Sequence, residues 1–125
     1  MAIINWETLK EYYLQANRTS QLDSLVLNLR RLQVLAKSEH HDRTNESIAE
    51  HLVRETQFFI EWLVPVINLE TDLNFATELV DLQRLLSQWK LNWSALWKNE
   101  SDRQEIAFLA QHWSDRLVNG LVMMS

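Results

Sequence analysis

The sequence predicts an all-α protein: an up-down bundle of four main helices with a short N-terminal helix, in one helical-bundle domain over residues 1–125. Three observations predict it. One glycine, Gly120, and one proline, Pro65, leave almost nothing from which to build hairpins or glycine-rich loops. The helix formers Leu, Gln, Glu and Arg are abundant. Apolar residues recur at alternating spacings of three and four along most of the chain. Apolar content of 46% and charged content of 23% are those of a globular chain rather than a disordered one. A chain of this size buries about two thirds of its unfolded surface, enough for a core without metal or disulfides.

Each element follows from a cap and a stripe. Asn5 is a good N-cap for a first helix with the stripe Trp6, Leu9, Tyr13 and Ala16, ending near Asn17, Arg18 and Thr19. A second helix follows Thr19 or Ser20, with Leu22, Leu25, Leu29, Leu32 and Ala36 on one face. Val26 and Leu35 widen that face, whereas Leu27 and Val34 lie off to the side.

From Lys37 to Ser47 there is no apolar residue, which predicts a loop capped by Thr44 or Asn45. The alternative is one helix running through. The third helix carries Ile48, Leu52, Phe59 and Leu63, with Glu55 or Thr56 on or beside the seam, and Pro65 ends or kinks it. Thr71 or Asp72 caps a fourth helix, in which Phe75, Leu79, Leu82, Leu86, Trp89, Trp93 and Leu96 alternate by four and three. A turn at Asn99 to Ser101 leads to a capping-box pattern at Ser101 to Gln104. The fifth helix has the stripe Ile106, Leu109, Trp113 and Leu117, and Gly120 is placed to close it. The tail Leu121, Val122, Met123 and Met124 is apolar and needs a cover.

Composition removes several chemistries. With no cysteine there is no disulfide, thiolate–metal site or thiol nucleophile, a composition that fits the cytoplasm. No basic region precedes an apolar run at the N-terminus, so no signal peptide is expected. The longest apolar run, Trp62 to Ile67, falls far short of the ~20 residues of a membrane span. Nucleic acid is not an expected partner, since the net charge is −5 and Arg30, Arg31 and Lys37 make only a small basic spot. Phosphate-cradling and dinucleotide loops lack their glycines, and no cofactor is expected.

The histidines give weak metal candidates. His51 and Glu55 are four apart and His112 and Asp115 three apart, so each pair shares a helix face. His40 and His41 sit in the polar segment. The Glu-x-x-His pair of di-iron bundles is absent, because Lys37, Ser38, Ile48 and Leu109 stand three before the histidines. His51 and Glu55 could also form an acid/base pair, but no catalytic constellation surrounds them in the sequence. Trp89, Trp93 and Trp97 recur every four residues. They read either as core or as the wall of a ligand cleft, with Trp97 half exposed and its indole N–H bonded to a polar group.

Charge is uneven. Glu55, Glu61, Glu70, Asp72, Glu78 and Asp81 fall between Arg54 and Arg84 with no basic residue among them. This points to a basic partner or to solvated helix starts. The functional expectation is a non-enzymatic adaptor or regulatory module that binds protein, including a homodimer. Leu27, Val34, Trp97, Leu121, Val122 and Met123 are the candidate partner-binding residues. The second expectation is a ligand- or metal-binding bundle using His51, Glu55 and a Trp-lined cleft, with His112 as a further candidate.

Overall fold

The computed structural model describes residues 5–39 and 42–124, with side chains of all of these except 121–124. His40 and His41 and the side chains of Leu121, Val122 and Met123 therefore lie outside the described residues. Six α-helices and one 3-10 turn make up the described chain, with no strand among these residues: α1 (Trp6–Gln15), α2 (Arg18–Lys37), α3 (Arg43–Leu63), a 3-10 turn (Val64–Val66), α4 (Leu69–Leu91), α5 (Trp93–Lys98) and α6 (Glu100–Met124). No helix is long and apolar enough to cross a membrane among the described residues.

Helix starts are set by asparagine and aspartate. Asn5 caps α1 as expected, its side chain accepting from the Thr8 N–H at 3.1 Å. Asn17, not Thr19 or Ser20, caps α2, accepting from Ser20 N–H at 2.8 Å. Asp42, not Thr44 or Asn45, caps α3, accepting from Asn45 N–H at 2.9 Å. α2 ends at Lys37 and α3 starts at Arg43, so the two are separate helices and the nonhelical stretch is shorter than expected: Arg43 to Ser47 belong to α3, because a cap upstream lets polar residues with adequate propensity join the helix.

Asn68 likewise starts α4 ahead of Thr71 and Asp72, accepting from Glu70 N–H at 2.9 Å. Asp72 still marks an irregularity: its φ of −125° and ψ of 31° leave helical values, kinking α4 after its first turn. Asn99 accepts from Asp102 N–H at 3.0 Å, so α6 begins at Glu100, before the expected capping box. The expected fourth helix does not run unbroken to Leu96. Asn92, at φ −131° and ψ 33°, separates α4 from α5. Gly120 does not close α6; it has no positive φ, the left-handed geometry of a glycine C-cap, and the helix continues to Met124. Pro65 does end α3, sitting in the 3-10 turn that follows Leu63.

The core follows the predicted stripes with local shifts. Leu22, Leu25, Leu29, Leu32 and Ala36 of α2 are all buried, as are Leu79, Leu82, Leu86 and Trp89 of α4. In α3 the buried line is Ala49, Leu52, Val53, Thr56, Phe59, Ile60 and Leu63, and Ile48 is exposed. Thr56 satisfies its buried hydroxyl by donating to the Leu52 carbonyl at 2.7 Å. The break at Asn92 shifts the register after it. Leu96 becomes half-buried and Trp97 takes the core position, 1% exposed. The expected half-exposed Trp97 is therefore corrected, and its indole N–H has no hydrogen-bond partner among the described residues.

Side-chain bonds fix how the helices meet. Along α3 and α4, Glu50 pairs with Lys90 at 3.4 Å, and Gln57 donates to Ser87 at 3.2 Å. Along α2 and α6, Gln33 donates to Gln111 at 3.0 Å. Arg116 of α6 reaches Glu78 of α4 at 2.6 Å, and Asn28 of α2 reaches Glu55 of α3 at 3.1 Å. Arg103, buried at the start of α6, donates to the Trp97 carbonyl and ties α5 to α6.

Candidate functional site

Two surfaces, one cavity and the core hold the described residues singled out by the sequence. The first surface is where α1 lies on α3. The Trp6 ring stands 4.5 Å from Phe58, 6.1 Å from His51 and 6.4 Å from Trp62, centroid to centroid. Tyr13 stacks on Phe59 at 4.2 Å with planes 6° apart. Its hydroxyl donates to the Gln21 carbonyl, and Gln21 Nε2 donates back to the Tyr13 carbonyl, both at 3.0 Å. Burial pushes the Tyr13 phenol pKa above its ordinary value, and the Arg18 charge opposes that in part. Arg54 sits over the Phe58 ring at 5.5 Å. Sequence reasoning missed this cluster, although Phe58, Phe59 and Trp62 at spacings of one and three advertise an aromatic patch two residues wide.

His51 and Glu55 lie at the edge of that cluster. His51 Nε2 is 3.7 Å from Glu55 Oε2, and the other Glu55 oxygen accepts from Asn28. Glu55 is thus bonded to one amide, with the imidazole beyond hydrogen-bond distance. Such a carboxylate is positioned, but among the described residues no nucleophile is bonded to it. The tryptophan beside His51 is Trp6, which in turn meets Trp62. Trp89, Trp93 and Trp97 are all buried, with Trp93 and Trp97 stacked at 5.5 Å and the Trp93 indole donating to the Glu46 carbonyl at 3.2 Å. His112 and Asp115 are exposed on α6. Among the described residues no group of three or more metal-ligating side chains converges.

The second surface is the outward side of α2 and α6. Leu27 and Val34 are 48% and 68% exposed, as their position off the stripe predicts. Phe108 of α6, not singled out in the sequence, is 67% exposed, three residues from Gln111, whose side chain bonds to Gln33 of α2. Trp97, buried in the core, offers no surface to a partner.

A cavity of about 780 Å³ opens between α2, α4 and α6, and its lining includes neither His51 nor Glu55. Leu22, Phe75 and Leu117 form apolar wall, and Arg18, Arg116, Glu70, Asp72 and Glu78 supply charge. The structure also redistributes the acidic segment. Asp72 meets Arg18 at 3.7 Å, Glu78 meets Arg116, and Asp81 meets Arg84 at 3.9 Å, so three of its six carboxylates face guanidinium groups. Compared with protein families, curated proteins and solved structures, the chain matches none.

Proposed function

We propose that the chain is a non-enzymatic protein-interaction module, an adaptor or regulator of the cytoplasm, built on an up-down bundle of α2, α3, α4 and α6. The bundle is supported by contacts that run in opposite sequence order along neighbouring helices. Glu50 with Lys90 and then Gln57 with Ser87 is one example. The single observation that carries the interaction reading is the outward face of α2 and α6. Leu27 and Val34 of α2 and Phe108 of α6 stay in solvent there, on two helices joined by the Gln33–Gln111 bond. Exposed large apolar side chains cost hydration unless a partner covers them.

The preferred partner is a second copy. Arg30 and Arg31 of α2 and Asp115 of α6 give this face charges of both signs, which suits a self-complementary contact. Sedimentation velocity of the full chain and of Val34→Asp tests this. A dimer that the substitution converts to monomer supports the reading; identical sedimentation of both proteins contradicts self-association through this face.

A second reading rests on His51 and Glu55, held 3.7 Å apart beside Trp6. In it the pair binds a metal ion or a small ligand. Quenching of tryptophan fluorescence by Zn²⁺, lost in His51→Ala, would support it, and an equal response in both proteins would reject it.

A further inference from the structure

The end of the molecule formed by the 3-10 turn and the start of α4 carries a different kind of surface. Val66, Leu69 and Leu73 are exposed there within eight residues of sequence. Leu73 also lines the 780 Å³ cavity, so exposed apolar surface runs to the mouth of a recess lined by both apolar and charged side chains. This volume is in the range of sites that hold a side chain or a small ligand.

The charge around the recess is unbalanced. Arg18 and Arg116 line it against Glu70, Asp72 and Glu78, two positive groups against three negative. Glu78 is bonded to Arg116 and Asp72 stands 3.7 Å from Arg18, whereas Glu70 has no ion pair among the described residues. The whole stretch from Glu55 to Gln83 contains no Lys, Arg or His. A partner that places apolar residues on Leu69 and Leu73 therefore meets an excess of negative charge beside them. The apolar wall of Leu22, Phe75 and Leu117 suits the methylene stem of a long basic side chain, whose head would stay near Glu70.

From this we infer that the α3–α4 end is a docking site for a basic amphipathic segment of a partner protein, which seats one Lys or Arg side chain in the recess. The inference rests on the interaction-module reading and names a partner chemistry for it. Rival occupants differ in charge. The chain's own residues 121–125, which follow the recess-lining Gly120, contain no basic residue, and a second copy pairing through α2 and α6 would leave the recess open.

The test is an NMR titration of the ¹⁵N-labelled full chain with a helical Leu/Lys peptide and with its Leu/Glu counterpart. The expected result is shift changes at residues 69–75 and 116–120 with the Leu/Lys peptide only. Added salt should weaken binding, as for partly exposed opposite charges. Glu70→Lys should weaken it about ten-fold, the factor that corresponds to ~1.4 kcal/mol. Glu7→Lys, the same charge change on α1, should leave affinity unchanged. Equal weakening by both substitutions would reduce the effect to net charge and overturn the site. So would equal binding of the Leu/Glu peptide, or no binding at all. Shifts confined to Leu27, Val34 and Phe108 would overturn this site while supporting the interaction-module reading. No binding by a chain that is also monomeric would count against both.

Discussion

Tyr13 is the position at which one substitution reports whether α1 belongs to the cooperative core. Its ring is buried and stacked on Phe59, and its hydroxyl and backbone exchange two bonds with Gln21. Tyr13→Phe keeps the ring and the bond from Gln21 Nε2 to the backbone, and it loses only the hydroxyl bond, worth about 1 kcal/mol. The Gln21 carbonyl lies inside α2, where it can still accept from its own helix. Tyr13→Ala removes the ring as well, and truncating a buried aromatic side chain costs about 3–5 kcal/mol. The two terms together reach about 4–6 kcal/mol, a large part of the 5–15 kcal/mol typical of a domain. Urea unfolding followed by both far-UV circular dichroism and tryptophan fluorescence measures this. The expected outcome is a small loss for Tyr13→Phe, a loss several-fold larger for Tyr13→Ala, and coincident transitions by the two probes. Equal losses for the two variants would refute the reasoning, because α1 would then be an appendage whose packing does not feed the global transition.

Further outcomes follow from the same contacts. The Tyr13 phenol keeps its proton in the folded state above the pH at which the unfolded chain releases it. Its stabilising effect is therefore intact below about pH 10 and is lost as pH rises beyond that. Urea midpoints should fall between about pH 9 and about pH 11 in the parent and fall less in Tyr13→Phe. Gly120 lies within α6, its φ is not positive, and an added Cβ would meet nothing within 4 Å. Gly120→Ala should thus stabilise by about 0.5–1 kcal/mol in a thermal melt, and a lower melting temperature would contradict helix at this position. Arg103→Ala should cost about 1.5–3 kcal/mol through its lost bond to the Trp97 carbonyl, plus lost stem packing. Arg103→Met, which keeps an apolar stem, should cost less in chemical denaturation. Equal costs would mean that the stem contributes nothing.

The stripes of α2 and α4 were legible because each is one uninterrupted face. Leu22 through Ala36 and Leu79 through Trp89 need nothing but helical spacing to find the core. Boundaries were less so, for one recurrent reason. Asn17, Asp42, Asn68 and Asn99 each cap upstream of the Ser, Thr, Asn or Asp that the pattern favoured, because an earlier good cap gains further backbone bonds. The break at Asn92 was hidden because apolar spacing continues across it. Only the burial of Trp97 instead of Leu96 reveals the change of register. At the candidate sites, periodicity found the exposed Leu27 and Val34. It could not find the recess, which depends on Arg18, Asp72 and Arg116 arriving from three different helices. Nor could it show Trp6 reaching His51 and Phe58, since the angle at which α1 crosses α3 is set by packing alone.

The proposed self-association is tested most directly by native mass spectrometry of the untagged full chain over a concentration series. The α2–α6 face predicts a species at twice the 14.9 kDa chain mass that grows with concentration and carries no added mass. A chain that remains at 14.9 kDa at every concentration would contradict it.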